Sequence, residues 1–241
     1  MKLPPRLLLF LLLAPVLALA GYGGIQASKR LWNRLDFVLS KEWNEVFTAR
    51  KQDLAKHSWR DSRPLHLFAG DSHIEYGNWY HAFQGELAVR NMGLSSARIE
   101  HVTELLASIH EIAPSTLLLH CGINNLGRGD SPDSCLAPYR KLLDQAKKLN
   151  PGRILVVAVM PVRQSLVDSK GREYNTRIRE FNSLLAELCK SRGIFLIDFN
   201  ESIAESNGGL KEEFTHDGLH LNSRGYAVIA PRILETLTLA K

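Results

Sequence analysis

The chain has 241 residues, 45% hydrophobic and 23% charged, a globular composition long enough to bury one sizeable core. Its formal net charge of +5 is concentrated at the start, where residues 1–63 hold 11 Lys+Arg against 5 Asp+Glu while the remainder holds 19 against 20. A body so balanced argues against a fold built to grip nucleic acid.

Residues 1–25, MKLPPRLLLFLLLAPVLALAGYGGI, place Lys2 and Arg6 before an apolar run and end it at Ala18-Leu19-Ala20. That layout predicts a secretory signal peptide cleaved after Ala20, or an uncleaved membrane anchor, since Leu7 to Ile25 nearly reaches the ~20 residues a spanning helix needs. Either way the expected location is exported (periplasmic or extracellular) or held at the membrane. Residues 26–63 follow as a basic amphipathic helix or stalk: Leu31, Leu35, Val38 and Leu39 share one helical face, which could pack on the protein or meet lipid headgroups.

From residue 64 to 241 short apolar runs alternate with helical patterns. The runs at 65–70, 86–93, 115–122, 153–162 and 194–199 are continuous enough to be strands covered on both faces, which means a five-stranded parallel sheet in an α/β domain. Between them Val102, Leu105, Leu106, Ile109 and Ile112 recur at helical spacing, as do Ile178, Phe181, Leu184, Leu185 and Leu188. Gly193 stops the second of these helices, and a last helix is predicted over 223–239. Cys121, Cys135 and Cys189 have no paired-ligand spacing and read as buried free thiols, or one disulfide with a thiol left over.

Ligands of open α/β sheets bind beyond the carboxyl ends of the strands. Four polar segments fall there: GDSHI after the first strand, RNMGLSS at the second, CGINNLG after the third and THDGLHLN before the last helix. A serine hydroxyl needs a neighbouring base to act as a nucleophile. Ser72 is the candidate nucleophile, His220 its base, and Asp217 the group that holds the imidazole in the productive tautomer. An oxyanion would need donors, and Ser72 N–H, Gly93 N–H and the Asn124 amide are the candidates.

Gly70-Asp71-Ser72, Asn91-x-Gly93, Gly122-x-Asn124 and Asp217-x-x-His220 resemble, in order and spacing, the four blocks of the SGNH or GDSL-type hydrolase family. The likeness spans residues 65–231, and the GINN and DGLHLNSRGYAVIAP segments look closer to its platelet-activating-factor acetylhydrolase-like branch. The resemblance implies a three-layer α/β/α flavodoxin-like sandwich, makes 64–241 the hydrolase domain, and gives Ser72, Asp217 and His220 catalytic roles with Ser72, Gly93 and Asn124 at the oxyanion. The sequence departs from the family where His73 replaces the leucine after the serine and Asn125 follows Asn124 in place of aspartate.

The expected activity is hydrolysis of small-molecule, lipid or glycan esters with no metal or organic cofactor. The same residues also suit acyl transfer to an envelope glycan, and the fold alone would suit a non-catalytic envelope-binding module. His216 and His220 lack a third ligand for a metal. His73 and His120 suit packing or substrate contact, Trp79 suits the core or a substrate platform, and Arg128-Gly129-Asp130 reads as a chance tripeptide. The segments 162–175 and 205–214 are the expected substrate selectors.

Overall fold

A computed structural model of the chain describes residues 44–49, 51–52, 63–109, 112–165 and 174–239. The apolar segment 1–25 lies outside the described residues, as does most of the stalk 26–63, in which residues 44–49 and 51–52 are helical. Among the described residues no helix is long and apolar enough to cross a membrane. The chain divides into two compact units, Met1–Asp53 and Leu54–Lys241, and the second carries the sheet and the candidate site.

The apolar runs form five parallel strands: β1 (Leu65–Gly70), β2 (Ala88–Gly93), β3 (Thr116–His120), β4 (Ile154–Val157) and β5 (Phe195–Ile197). Their order is β2-β1-β3-β4-β5. Successive strands therefore step to opposite sides of β1, and the switch between β1 and β3 opens a crevice at their carboxyl ends. The helices are α1 (Ser72–Glu75), α2 (Trp79–Ala82), α3 (Ile99–Ala107), α4 (Ile123–Gly127), α5 (Leu136–Lys148), α6 (Tyr174–Ser191), α7 (Asn200–Ile203) and α8 (Ser223–Leu239).

Side chains alternate across the sheet, so Phe68, Leu118, Leu155, Val157 and Ile197 build a core with Ile229, Ile233 and Leu237 of α8. Trp79 belongs to this core: it is 4% exposed, its ring meets Phe68 at 5.1 Å, and its indole N–H donates to the Ile74 carbonyl at 3.0 Å. Leu67, Ala69 and Leu119 face the other way, where α3 contacts β1 and α5, and α5 contacts α6. The result is the three-layer α/β/α sandwich. Cys121, Cys135 and Cys189 are all buried and free.

The fourth strand is shorter than its apolar run. Beyond Val157 the chain stays buried through Val162; Ala158 N–H still reaches the Ile197 carbonyl of β5 at 2.9 Å, but from Val159 onward carboxamide side chains take over from the ladder. Asn182 brackets Val159, accepting its N–H at 2.8 Å and donating to its carbonyl at 2.7 Å, and Asn175 does the same for Val162 at 2.9 and 2.8 Å. The two asparagines lie seven residues apart in sequence, two turns of α6, and so project from one face. Carboxamides thus satisfy a buried segment whose polar groups would otherwise go unpaired.

Candidate active site

The first strand ends at Gly70, and Asp71 turns the chain into α1. Asp71 is the N-cap: its Oδ1 accepts the His73 N–H at 3.0 Å. Ser72 is therefore the first helical residue, with a main-chain N–H that has no intrahelical acceptor. Its Oγ lies 2.9 Å from His220 Nε2. Two residues 148 positions apart thus meet at the mouth of the β1/β3 crevice.

The loop carrying His220 is folded by Asp217. Oδ1 accepts the N–H groups of Leu219 and His220 at 2.9 and 2.8 Å, and Oδ2 faces His220 Nδ1 at 2.5 Å. A Thr215 to Leu221 bridge closes the loop, and the Arg163 N–H donates to the Gly218 carbonyl at 2.7 Å. Partial burial would raise the Asp217 carboxyl, but the His220 ring and the two N–H groups outweigh it and hold the group well below the usual carboxylate range. An ionised carboxylate on Nδ1 fixes the proton there and turns the lone pair of Nε2 toward Ser72. His216 is exposed beside this loop.

Of the proposed oxyanion donors, Asn124 sits at the mouth of the crevice with a hydrogen to spare. The left-handed Gly122 (φ 131°) starts α4, and Asn124 Nδ2 donates one hydrogen to the Ala97 carbonyl at 2.9 Å, which leaves the second. Gly93 does something else. Its N–H is donated to Asn91 Oδ1 at 2.9 Å, so it is not a spare donor. A Cβ there would fall 2.1 Å from the Glu75 nitrogen, and the glycine is what lets β2 lie against α1. Asn91 completes the joint, donating to the Ile74 and Glu75 carbonyls at 2.8 and 3.1 Å.

The loop after Gly93 does hold a spare donor. Leu94 N–H goes to the Gly70 carbonyl, Ser95 N–H to Glu75 Oε2 and Ala97 N–H to the Leu94 carbonyl. Ser96 N–H has no acceptor among the described residues; the residue is exposed, left-handed (φ 62°), and next to the carbonyl that holds Asn124. A non-glycine residue at positive φ is uncommon and leaves no mark in sequence.

Gly93→Ala is accordingly expected to push α1 off β2. Overpacking of this kind costs about 1–3 kcal/mol, and the displaced Ser72 should lower kcat as well. Urea denaturation with parallel turnover checks it, and an unchanged midpoint would mean that α1 yields without cost.

His73 and His120 are buried beneath Ser72, and the Tyr76 ring, which is exposed, lies 5.0 Å from the His220 ring. Arg128-Gly129-Asp130 is the turn that ends α4, with Asp130 N–H bonded to the Asn125 carbonyl. Of the expected selectors, residues 166–173 lie outside the described residues, and 205–214 form a turn closed by an Ala204 to Leu210 bridge.

Residues 61–228 match the model of the GDSL-like Lipase/Acylhydrolase family. The chain is 25% identical over 187 residues to platelet-activating factor acetylhydrolase IB subunit alpha1 of Pongo abelii, covering 75% of this chain and 78% of that one. A solved chain from Streptococcus pneumonia superposes with a TM-score of 0.75 at 21% identity, over 87% of this chain and 99% of that one. A GDSL-like lipase of Bacteroides thetaiotaomicron gives 0.67 at 14% identity, over 81% and 98%. At these identities the two structures speak to the fold.

Proposed function

Because the chain belongs to the GDSL-like lipase/acylhydrolase family and is an ester hydrolase, we propose that it cleaves carboxylic esters through an acyl-enzyme on Ser72. The observation that carries this reading is the pair of contacts at His220: Nε2 at 2.9 Å from Ser72 Oγ and Nδ1 at 2.5 Å from Asp217 Oδ2.

As Ser72 Oγ attacks the ester carbonyl, His220 Nε2 takes its proton, and Asp217 balances the imidazolium. The tetrahedral oxyanion is met by Ser72 N–H, the second Asn124 amide hydrogen and, in place of Gly93, Ser96 N–H. Collapse expels the alcohol, which leaves with the proton from His220. Water then gives a proton to the same nitrogen and attacks the acyl-enzyme, releasing the acid and restoring Ser72. No step calls on a metal or an organic cofactor.

The acetylhydrolase named among the relatives supports a short acyl group. With a p-nitrophenyl ester series from acetyl to palmitoyl, turnover by the full chain is expected to be greatest at acetyl and to fall with length. A fluorophosphonate probe should label Ser72. Folded protein that resists the probe would overturn the acyl-enzyme, and preference for long chains would overturn the short-acyl assignment alone.

A further inference from the structure

Beneath the nucleophile, three side chains that the ester chemistry does not use point at one another. Asp71, His73 and His120 are 0, 2 and 1% exposed, and each offers a ligand atom within 4.8 Å of the other two. Strand register brings them together. Gly70 on β1 pairs with His120 on β3, so the chain leaving β1 passes beside that residue, and Asp71 N–H donates to its carbonyl at 3.2 Å.

Both imidazole tautomers are set by their outer nitrogens. His73 Nε2 lies 3.1 Å from the Leu219 carbonyl, and His120 Nδ1 lies 3.4 Å from the Val157 carbonyl. A carbonyl only accepts, so those nitrogens carry the protons and leave His73 Nδ1 and His120 Nε2 as bare lone pairs. The third group, the Asp71 carboxylate, also only accepts: Oδ1 takes the His73 N–H, and Oδ2 has no partner. These atoms make up three of the seven buried side-chain polar atoms that lack a hydrogen bond among the described residues, and they converge on one place.

Three acceptors without a donor between them call for a cation or a buried water, and a water, with two hydrogens, reaches only two of them. A proton would satisfy one pair, whereas a metal ion satisfies all three. Two imidazoles and a carboxylate are a set that zinc takes, with a fourth position left for solvent. Metal-bound histidines also tend to donate their other ring N–H to a carbonyl or carboxylate, as both do here. His73 Nδ1 is 3.4 Å from Asp71 Oδ1, the oxygen that also takes the His73 N–H, and the three ligand atoms lie within 4.8 Å of one another. Two ligands at zinc-bond distance from a tetrahedral ion would be roughly 3.3 Å apart, so binding would draw the three side chains inward. Burial, against the pull of Asp71, holds His120 down to about 4, so its ring is neutral at neutral pH.

We propose that Asp71, His73 and His120 form a binding site for a zinc-class divalent cation directly behind Ser72. The ion would act as a clamp and not as a reagent. Asp71 and His73 flank the nucleophile, His120 ends β3, and His73 reaches the carbonyl of Leu219, the residue before His220. One ion would thus tie the nucleophile's turn to the central strand and to the loop of the base.

The test uses the untagged full-length chain, equilibrated with zinc sulfate, dialysed into metal-free buffer and measured for zinc by mass spectrometry beside His120→Ala and Asp71→Asn. One zinc per unaltered chain is expected, with affinity at least ~100-fold weaker in each variant. X-ray absorption at the zinc edge of the unaltered protein reads the ligands without relying on a variant, and two imidazoles with one carboxylate are expected. No stoichiometric zinc, equal zinc in all three proteins, or a spectrum without imidazole would each overturn the site; the first outcome would leave a shared proton or a buried water holding the cluster.

Discussion

Ser72→Ala is expected to remove nearly all ester turnover, with kcat falling by about 10⁶, or about 8 kcal/mol of barrier. Stability should hardly change, which is what makes the substitution informative. Ser72 is 5% exposed, yet its hydroxyl spends itself on His220 and not on the helix, because Asp71 supplies the cap. Losing one hydrogen bond of that kind costs about 1 kcal/mol. An alanine fits the first turn as well as serine does. Hydrolysis of p-nitrophenyl acetate, alongside urea denaturation, separates the two effects. Wild-type turnover by a folded Ser72→Ala protein would end the nucleophile assignment, whereas a protein that fails to fold would contradict the capping geometry.

The same stretch shows why some features are legible in sequence and others are not. The run LHLFAG is bounded by Pro64 and by Gly70-Asp71, and β1 occupies those six residues, 65–70. The last helix likewise spans the predicted 223–239. Continuous apolarity reports burial, however, and burial is not a ladder: residues 159–162 are as apolar as a strand, but Val159 and Val162 are paired by Asn182 and Asn175 from α6. Nothing in the spacing of two polar residues on a helix announces that partner.

Site residues divide in a similar way. Ser72, Asp217 and His220 can be singled out because few residue types can do their chemistry, and the chain brings their side chains into contact. Gly93 is open to two readings in sequence, since a glycine serves either to bare an N–H or to let two backbones approach. Here the approach to Glu75 is what the position requires, and the spare N–H lies three residues on at Ser96, a position that no residue type marks out. His73 and His120 meet only through the pairing of Gly70 with His120, a register that sequence does not print.

Asp217→Asn is expected to lower kcat on the order of 10⁴ while leaving the loop in place. The reason is a change of tautomer. Oδ1 of Asp217 accepts two main-chain N–H groups, so an asparagine must keep its own oxygen there, because its amide would set donor against donor. The amide nitrogen then faces His220 Nδ1 and donates to it. The ring proton moves to Nε2, where it points at Ser72 Oγ, and the base can no longer take the serine proton. In the native chain the carboxyl is held below its ordinary value, so the stabilisation it gives is present above the unfolded pKa and lost only as pH falls through the depressed one. The Asp217 carboxylate is therefore ionised throughout the neutral range, and its own titration adds nothing to the pH dependence of the deficit there. Nitrogen-15 NMR of the variant should find His220 protonated at Nε2. A turn residue without a catalytic part would behave otherwise, losing stability with less than about a tenfold change in kcat. The two outcomes differ by about three orders of magnitude in rate, so one kinetic measurement on folded protein decides whether Asp217 orients the base or only shapes the loop.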